Sequence, residues 1–376
     1  MQTKISKLPQ LPVVNTSYHI IEMDGDRVQF RNGQDLFVIK GPNLLNLIND
    51  LMPLLTGENT LPEIISQLAD RYPEKSIISI LTRLTQRRVV RERIEATPET
   101  SKIHPAQQAY FSQFSPNANP NLAALASAHV AVIGLGPIGT SVAHTLAQSG
   151  IGRISVSDSN PVQLEDTLAA EAPSATIGSS CEENFVMSIR ENFPEVQWDI
   201  MDLSLRHIER EDHPDYIVVC HENYRPDMLA DINTFCLSSG VPYTWCSLDA
   251  LCGTVGPTVL PHETACFECY TTRLNANADY PDELQAYEQQ LRTNGNPTLF
   301  GYLPSHTQLI AGLVSLEVVK DISGLTPPVT YNAQLELNLL TMEFALHPVL
   351  KLPRCSACSR LQHSGAPVRP FAEQAV

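Results

Sequence analysis

The stretch VAVIGLGPIGTS, residues 130–141, decides the fold of this 376-residue chain. An apolar run, Val130–Ile133, reads as a buried strand and leads directly into Gly134-Leu135-Gly136-Pro137-Ile138-Gly139. A helical pattern, Gly139–Ser149, follows at once. In that setting Gly134 permits the tight turn, Gly136 lets a phosphate approach the backbone, and Gly139 lets helix and strand pack closely. The free N–H groups and dipole of the helix start favour an anion there. Asp158, 19 residues after Gly139, ends the next apolar run and stands where a ribose-binding carboxylate would sit. Taken alone, the stretch fits equally a Rossmann-like turn kept only for packing.

Outward from the turn, strands and helices alternate. Ile154–Ser157, Val196–Ile200, Tyr216–Cys220 and Tyr243–Cys246 are further candidate strands, and Glu182–Asn192 and Pro226–Ser238 are helical segments. Such alternation implies an α/β domain with a mostly parallel sheet covered by helices. Residues 97–127, rich in Pro, Ser, Asn and Ala, suggest a linker before a domain spanning 128–376. Ahead of the linker, residues 1–96 hold a separate α+β unit. Tyr18–Glu22, Arg27–Arg31 and Leu36–Ile39 are β-prone and separated by turn signals at Asp24-Gly25-Asp26 and Asn32-Gly33. Three helical patterns follow: the Leu44–Met52 periodicity, a helix opened by the capping box Thr60-Leu61-Pro62-Glu63, and one carrying Ile77, Ile80, Leu81 and Leu84. The order is βββααα.

Charge and cysteine usage narrow the function classes. Lys plus Arg number 25 against 41 Asp plus Glu, a net charge of −16, which excludes nucleic-acid binding by bulk charge. The N-terminus lacks a secretory h-region and no run of eighteen apolar residues offers a membrane span, so a cytoplasmic location is expected. Nine cysteines, odd in number and uneven in spacing, do not form a secreted disulfide framework. Four of them make two C-x-x-C pairs, Cys266 with Cys269 and Cys355 with Cys358, which supply four thiolates to a tetrahedral metal. A structural zinc clamping two distant segments is the expectation. The alternative, a redox C-x-x-C, normally follows a strand and would not need two copies.

The glycine turn with its following helix, then CFECY, then a helix near Leu309–Lys320, then CSAC, resembles the ThiF/MoeB superfamily of ubiquitin-like-protein activators over roughly residues 125–360. The resemblance implies a Rossmann-like ThiF/MoeB-type fold, ATP as cofactor, adenylation of a carboxyl terminus, and homodimers formed through that body. This chain departs from the family where the chemistry lies. The segment after Asp158, PVQLEDTLAAEAP, is acidic and lacks the family's Arg, and Ser174–Asn192 lacks its Lys. The family's C-x-D-N appears as Cys220-His221-Glu222-Asn223, with Glu222 in place of the metal-binding Asp. Residues 271–354 hold no Cys to act as a thioester nucleophile. Two missing cations remove charge stabilisation from phosphoryl chemistry, so weak or absent ATP turnover is expected.

Residues 10–96, with VIKGPN and LLTGENTLPEI, resemble a PqqD-like RiPP recognition element, a small winged-helix-like fold. Such elements add a precursor's leader peptide to the third strand, against the third helix. The resemblance maps the peptide site to Leu36, Phe37, Val38 and Ile39 on the strand and to Leu81, Arg83, Leu84 and Arg87 on a helix of about Lys75–Arg87. Arg83, Arg87, Arg88, Arg91 and Arg93 crowd this end of the unit, either as a solvated helix face or as partners for the carboxylates of an acidic leader. The whole chain, with TACFECYTTR and HPVLKLPRCSACSR, resembles the leader-binding partner proteins of azole-peptide (TOMM) pathways, which present the precursor to a separate YcaO-type cyclodehydratase. The expected function is thus a non-catalytic adaptor. An adenylating ThiF-like enzyme acting on a peptide carboxylate stands beside it, and a nicotinamide-dependent enzyme is a third reading.

Overall fold

The computed structural model describes residues 8–33, 35–93, 104–115, 117–162, 177–201, 212–221, 224–249, 251–294 and 301–359. It divides into two units, 1–122 and 123–376.

In the first unit, β1 (Pro12–Val14) is followed by a three-stranded antiparallel sheet of β2 (His19–Met23), β3 (Arg27–Arg31) and β4 (Leu36–Lys40), in the order β2-β3-β4. Both turns fall on the glycine signals: Gly25 and Asp26 have positive φ (75° and 52°), and the Asn32 N–H donates to the Asp35 carbonyl across the second turn at 3.0 Å. Helices α1 (Leu44–Leu51), α2 (Leu61–Leu68) and α3 (Glu74–Gln86) then cover one face of the sheet, and β5 (Val90–Glu92) returns to pair with β1. The capping box forms as expected, with Glu63 Oε2 accepting the Thr60 N–H at 2.7 Å. Val28, Phe30, Ile48, Leu51, Ile64, Ile77, Leu81 and Leu84 form the core, each 1 % exposed or less. The sequence pattern missed the short β1–β5 pair. Its three-residue strands offer no periodicity to read.

Within the stretch whose composition suggests a linker, the described residues form two helices, α4 (Pro105–Phe114) and α5 (Asn119–Ser127). Phe111, Leu122 and Leu125 are buried, which explains why the described residues fold into helices despite their polar composition.

The second unit is built on an eight-stranded sheet. Its strands are β6 (His129–Ile133), β7 (Arg153–Ser157), β8 (Gln197–Ile200), β9 (Tyr216–His221), β10 (Tyr243–Asp249), β11 (Cys252–Val255), β12 (Ala333–Asn338) and β13 (Glu343–Pro348). The spatial order is β13-β12-β11-β10-β9-β6-β7-β8. The five strands from β10 to β8 run parallel, as the alternation implies, and β11, β12 and β13 add an antiparallel flank. Helices α6 (Pro137–Gln148), α7 (Cys181–Asn192), α8 (Pro226–Ser239), α9 (Phe267–Asn277), α10 (Pro281–Asn294) and α11 (Pro304–Ser323) complete the unit. The chain leaves β6 toward β7 on one side and later returns to β9 on the other, so strand order reverses at β6. That reversal opens a crevice at the carboxyl end of β6, where open α/β sheets bind ligands.

Candidate functional site

The glycine turn lies in this crevice. Gly134 has φ +91°, and a Cβ on it would fall 2.0 Å from the Cys220 carbonyl oxygen of β9. A Cβ on Gly139 would meet the Gly134 carbonyl at 1.7 Å. Both glycines are therefore demanded by close backbone approach, as the sequence reading holds. Gly136 is the extended residue that caps α6, with Pro137 at the first helical position. Asp158 stands beside the turn: its Oδ2 accepts the Leu135 N–H at 2.8 Å, its Oδ1 accepts from the Asn160 backbone and side-chain amides, and its own N–H donates to Glu182. Glu222 lies outside the described residues, as does the acidic segment 163–173.

The charges around the crevice differ from the sequence reading in one respect. Arg190 of α7 donates to the Trp198 carbonyl and is committed to the sheet edge. Arg225, at the head of α8, was not singled out from sequence. It forms a two-point ion pair with Asp227 (3.2 and 3.0 Å), and Asp158 also favours its charge. His221 contacts Met228 Sδ at 3.1 Å, and burial, with Arg225 adding to it, lowers its pKa to about 4. Among the described residues, the crevice thus holds an imidazole held neutral at ordinary pH and a guanidinium satisfied by its own neighbour. The signal for Arg225 was available in its position two residues after Asn223.

All four paired cysteines come together in the second unit. Their Sγ atoms lie within 4.8 Å of one another, with Cys266–Cys269 at 3.8 Å, Cys266–Cys355 at 3.6 Å and Cys269–Cys358 at 3.7 Å. Zinc–thiolate bonds of about 2.3 Å in a tetrahedron give sulfur–sulfur edges of about 3.8 Å, so donor set and spacing both fit a tetrahedral thiophilic cation. Cys355 is 2 % exposed and the other three 0 %. Hydrogen bonding from Cys266 and from the Leu352 N–H (3.4 Å) lowers the Cys269 pKa to about 4, whereas burial and its thiol neighbours push Cys358 up to about 12. Further thiolates at this spacing require a cation to balance them. The supporting shell is polar and fixed: buried Asn233 accepts the Phe267 N–H and the Tyr243 hydroxyl, and Asn332 accepts the Ala265 N–H.

The residues expected to bind a peptide separate into two groups. Ile39, Leu81 and Leu84 are 7 %, 1 % and 0 % exposed and belong to the core of the first unit. Leu36 and Val38 are exposed (52 % and 45 %) on a strand whose outer edge is unpaired among the described residues. Backbone phase follows from the register. Asn32 N–H bonds Asp35 and Gly41 N–H bonds Asp26, so the hydrogen-bonded pairs of this hairpin include Phe30 with Phe37 and Val28 with Ile39. Leu36, Val38 and Lys40 therefore aim their N–H and C=O groups away from β3, toward the open edge. Phe37 stacks on Phe30 (5.1 Å) and lies under the Arg87 guanidinium (5.2 Å). Arg83 is exposed on α3. The arginine cluster does not act as one: Arg88 donates to the Gln113 and Phe114 carbonyls, Arg93 to Gly57, and Arg91 is partly buried.

Comparison with known proteins agrees with this geometry. The sequence pattern of the ThiF family matches residues 106–359. The chain belongs to the ThiF family. It is 24% identical over 269 residues to ubiquitin-like modifier-activating enzyme 5 of Oryza sativa subsp. japonica, a match covering 65% of this chain and 60% of that protein. Its fold is similar to that of the microcin C7 biosynthetic enzyme MccB in complex with N-formylated MccA (TM-score 0.68, 17% identity, 92% of this chain and 99% of the other). E. coli MccB with ATP is equally similar (TM-score 0.67, 17% identity, 92% and 99%). The heterocyclase TruD matches with a TM-score of 0.63 and 19% identity, covering 94% of this chain and 43% of TruD. Among the described residues, no helix is long and apolar enough to cross a membrane.

Proposed function

We propose that this ThiF-family chain is a peptide-capturing partner protein of ribosomal-peptide modification. Its first unit, a PqqD-like recognition element, binds the leader of a precursor as an added strand on β4. Its second unit, bearing a structural zinc on Cys266, Cys269, Cys355 and Cys358, docks a YcaO-type cyclodehydratase that forms the azolines. The site of action is the cytoplasm, where thiols stay reduced. The observation that carries the reading is the edge of β4, unpaired among the described residues: Leu36, Val38 and Lys40 turn their N–H and C=O groups outward, and Leu36 and Val38 carry exposed apolar side chains, a ready template for strand addition. MccB, similar in fold, is known in complex with the peptide MccA, which supports a peptide partner. The test is calorimetric titration with the leader of the precursor made by the same pathway. Micromolar binding located to β4 is expected, and no binding at high micromolar peptide counts against the reading.

One observation favours a second reading, adenylation of a peptide carboxylate. Gly134 and Gly139 keep the close-packed turn beside Gly136 and Asp158 on which a nucleotide could lie, and the Asp158 carboxylate acts on the Arg225 guanidinium. Pyrophosphate exchange in the presence of peptide distinguishes the two. Exchange abolished by Asp158→Ala or Glu222→Ala supports the enzyme, and its absence supports the adaptor.

A further inference from the structure

The eight-stranded sheet ends on β13, whose outer edge is unpaired among the described residues. Natural edges are blunted by charge, proline or a covering element, because a free row of N–H and C=O groups invites another strand. This edge is apolar instead. Leu340 and Met342 in the turn before it, and Phe344 and Leu346 on the strand, are each more than half exposed. β13 (EFALHP) has no Lys or Arg, and its one proline, Pro348, is its last residue.

The register fixes which backbone groups are free. The Val349 N–H donates to the Asn332 carbonyl at 2.7 Å, and Ala333 lies opposite Pro348. Bonded and unbonded pairs alternate along an antiparallel ladder, so Glu343, Ala345 and His347 turn their backbone groups toward β12. Phe344 and Leu346 turn theirs to the open edge. Pro348 has no N–H to offer there, and the Met342 N–H is taken by the Asn338 carbonyl at 2.8 Å. Side chains divide the same way. Phe344 and Leu346 lie opposite Leu337 and Leu335 and share their face, while Glu343, Ala345 and His347 occupy the other, where His347 Nε2 meets Glu336 at 3.1 Å.

Glu343-Phe344-Ala345-Leu346-His347 is self-complementary about Ala345. Set antiparallel to a second copy with Ala345 against Ala345, the segment places Phe344 against Leu346 in bonded pairs and Glu343 against His347. Both outward residues of each strand then gain reciprocal N–H···O=C bonds, and an acid meets an imidazole rather than another acid. Centring the pair on Phe344 would set Leu346 against Met342, whose N–H is committed. Centring it on Leu346 would set Phe344 against Pro348, which has none. A single register matches backbone, apolar face and charge together.

We propose that β13 is a contact between two copies of this chain, a two-fold joint through Ala345 across which the two sheets continue and the exposed Phe344 and Leu346 side chains cover one another. The joint does not depend on whether β4 captures a peptide.

The experiment uses the full-length protein in two forms of assay. Sedimentation velocity should find a dimer at micromolar concentration, and Leu346→Pro, which removes an outward N–H that the free edge does not use, should raise its dissociation constant at least tenfold. Introduced cysteines then locate the axis. Ala345→Cys faces its own copy in an unbonded pair, with Cα atoms about 4.5 Å apart and within disulfide reach. His347→Cys is the control, because the two copies of that position lie about 14 Å apart along the strands. Under mild oxidation Ala345→Cys should yield a covalent dimer, and His347→Cys and the parent should not. A parent protein that stays monomeric at about 100 μM overturns the proposal, since mass action favours any dimer there. So does a dimer unweakened in folded Leu346→Pro, or Ala345→Cys chains that cross-link no better than His347→Cys. Should Leu346→Pro fail to fold, the cysteine comparison decides alone.

Discussion

Replacing Val38 by proline separates peptide capture from folding. Val38 is the middle of the three residues whose backbone faces the open edge of β4, so its N–H has no partner within the hairpin. Proline there costs the free protein little, since edge strands tolerate it when the N–H points to solvent. An added strand loses one backbone hydrogen bond, worth about 0.5–1.5 kcal/mol net, and its own carbonyl is left short of a donor at about 1–3 kcal/mol. The pyrrolidine ring also holds the incoming backbone off. Together these, about 1.5–4.5 kcal/mol, predict roughly a tenfold to thousandfold rise in leader Kd, since about 1.4 kcal/mol is a factor of ten. Phe37→Pro is the control. It breaks the β3–β4 ladder and uncouples the Phe30 stack, so it should unfold the first unit. Fluorescence anisotropy with labelled leader reads the affinity, and circular dichroism reads the fold. Leader affinity unchanged in a folded Val38→Pro protein would refute strand addition at this edge.

Elemental analysis should find about one zinc per chain, and Cys355→Ser or a strong chelator should lower the melting temperature of the second unit, since ligand loss is coupled to unfolding; unchanged melting after proven metal removal contradicts this. Gly134→Ala should destabilise that unit by roughly 3 kcal/mol or more, because the left-handed backbone and the approach to the Cys220 carbonyl both exclude a methyl group, and a denaturant midpoint equal to the parent's would argue against the close contact. His221 has a folded pKa of about 4, below that of a free imidazole, so the unfolded chain binds the extra proton first. Stability is therefore full near neutrality and falls as pH drops from about 6.5 toward 4, with a limiting slope of about 1.4 kcal/mol per unit. His221→Asn should flatten that decline in denaturant titrations.

The parts of the fold that local chemistry dictates were legible in the sequence. Gly134 and Gly139 announce a turn because no other residue fits there, and the central parallel strands β6 and β9 announce themselves by apolar runs, VAVI and YIVVC. Thr60 and Glu63 likewise specify a helix start without help from the rest of the chain. The antiparallel flank was not legible: β12 (AQLELN) is partly exposed, β13 (EFALHP) is mostly exposed, and both mix apolar with charged residues, so only pairing of β12 with β11 and of β13 with β12 makes them strands. In the site, C-x-x-C spacing pointed to thiolate chemistry, while the convergence of the two pairs is a product of tertiary structure. Burial decided which of the strand and helix residues were core, separating Leu36 and Val38 from Ile39, Leu81 and Leu84.

The thiol cluster joins partners 89 residues apart, Cys266 to Cys355 and Cys269 to Cys358. A clasp of that span cannot close until the ribosome has delivered Cys355 and Cys358, so a metal held by all four thiolates would enter only after that point. Until then Cys266 and Cys269 wait as an exposed dithiol, open to oxidation or to the wrong cation. With zinc in the cluster as proposed, metal scarcity in a growing cell would be felt first by newly made copies.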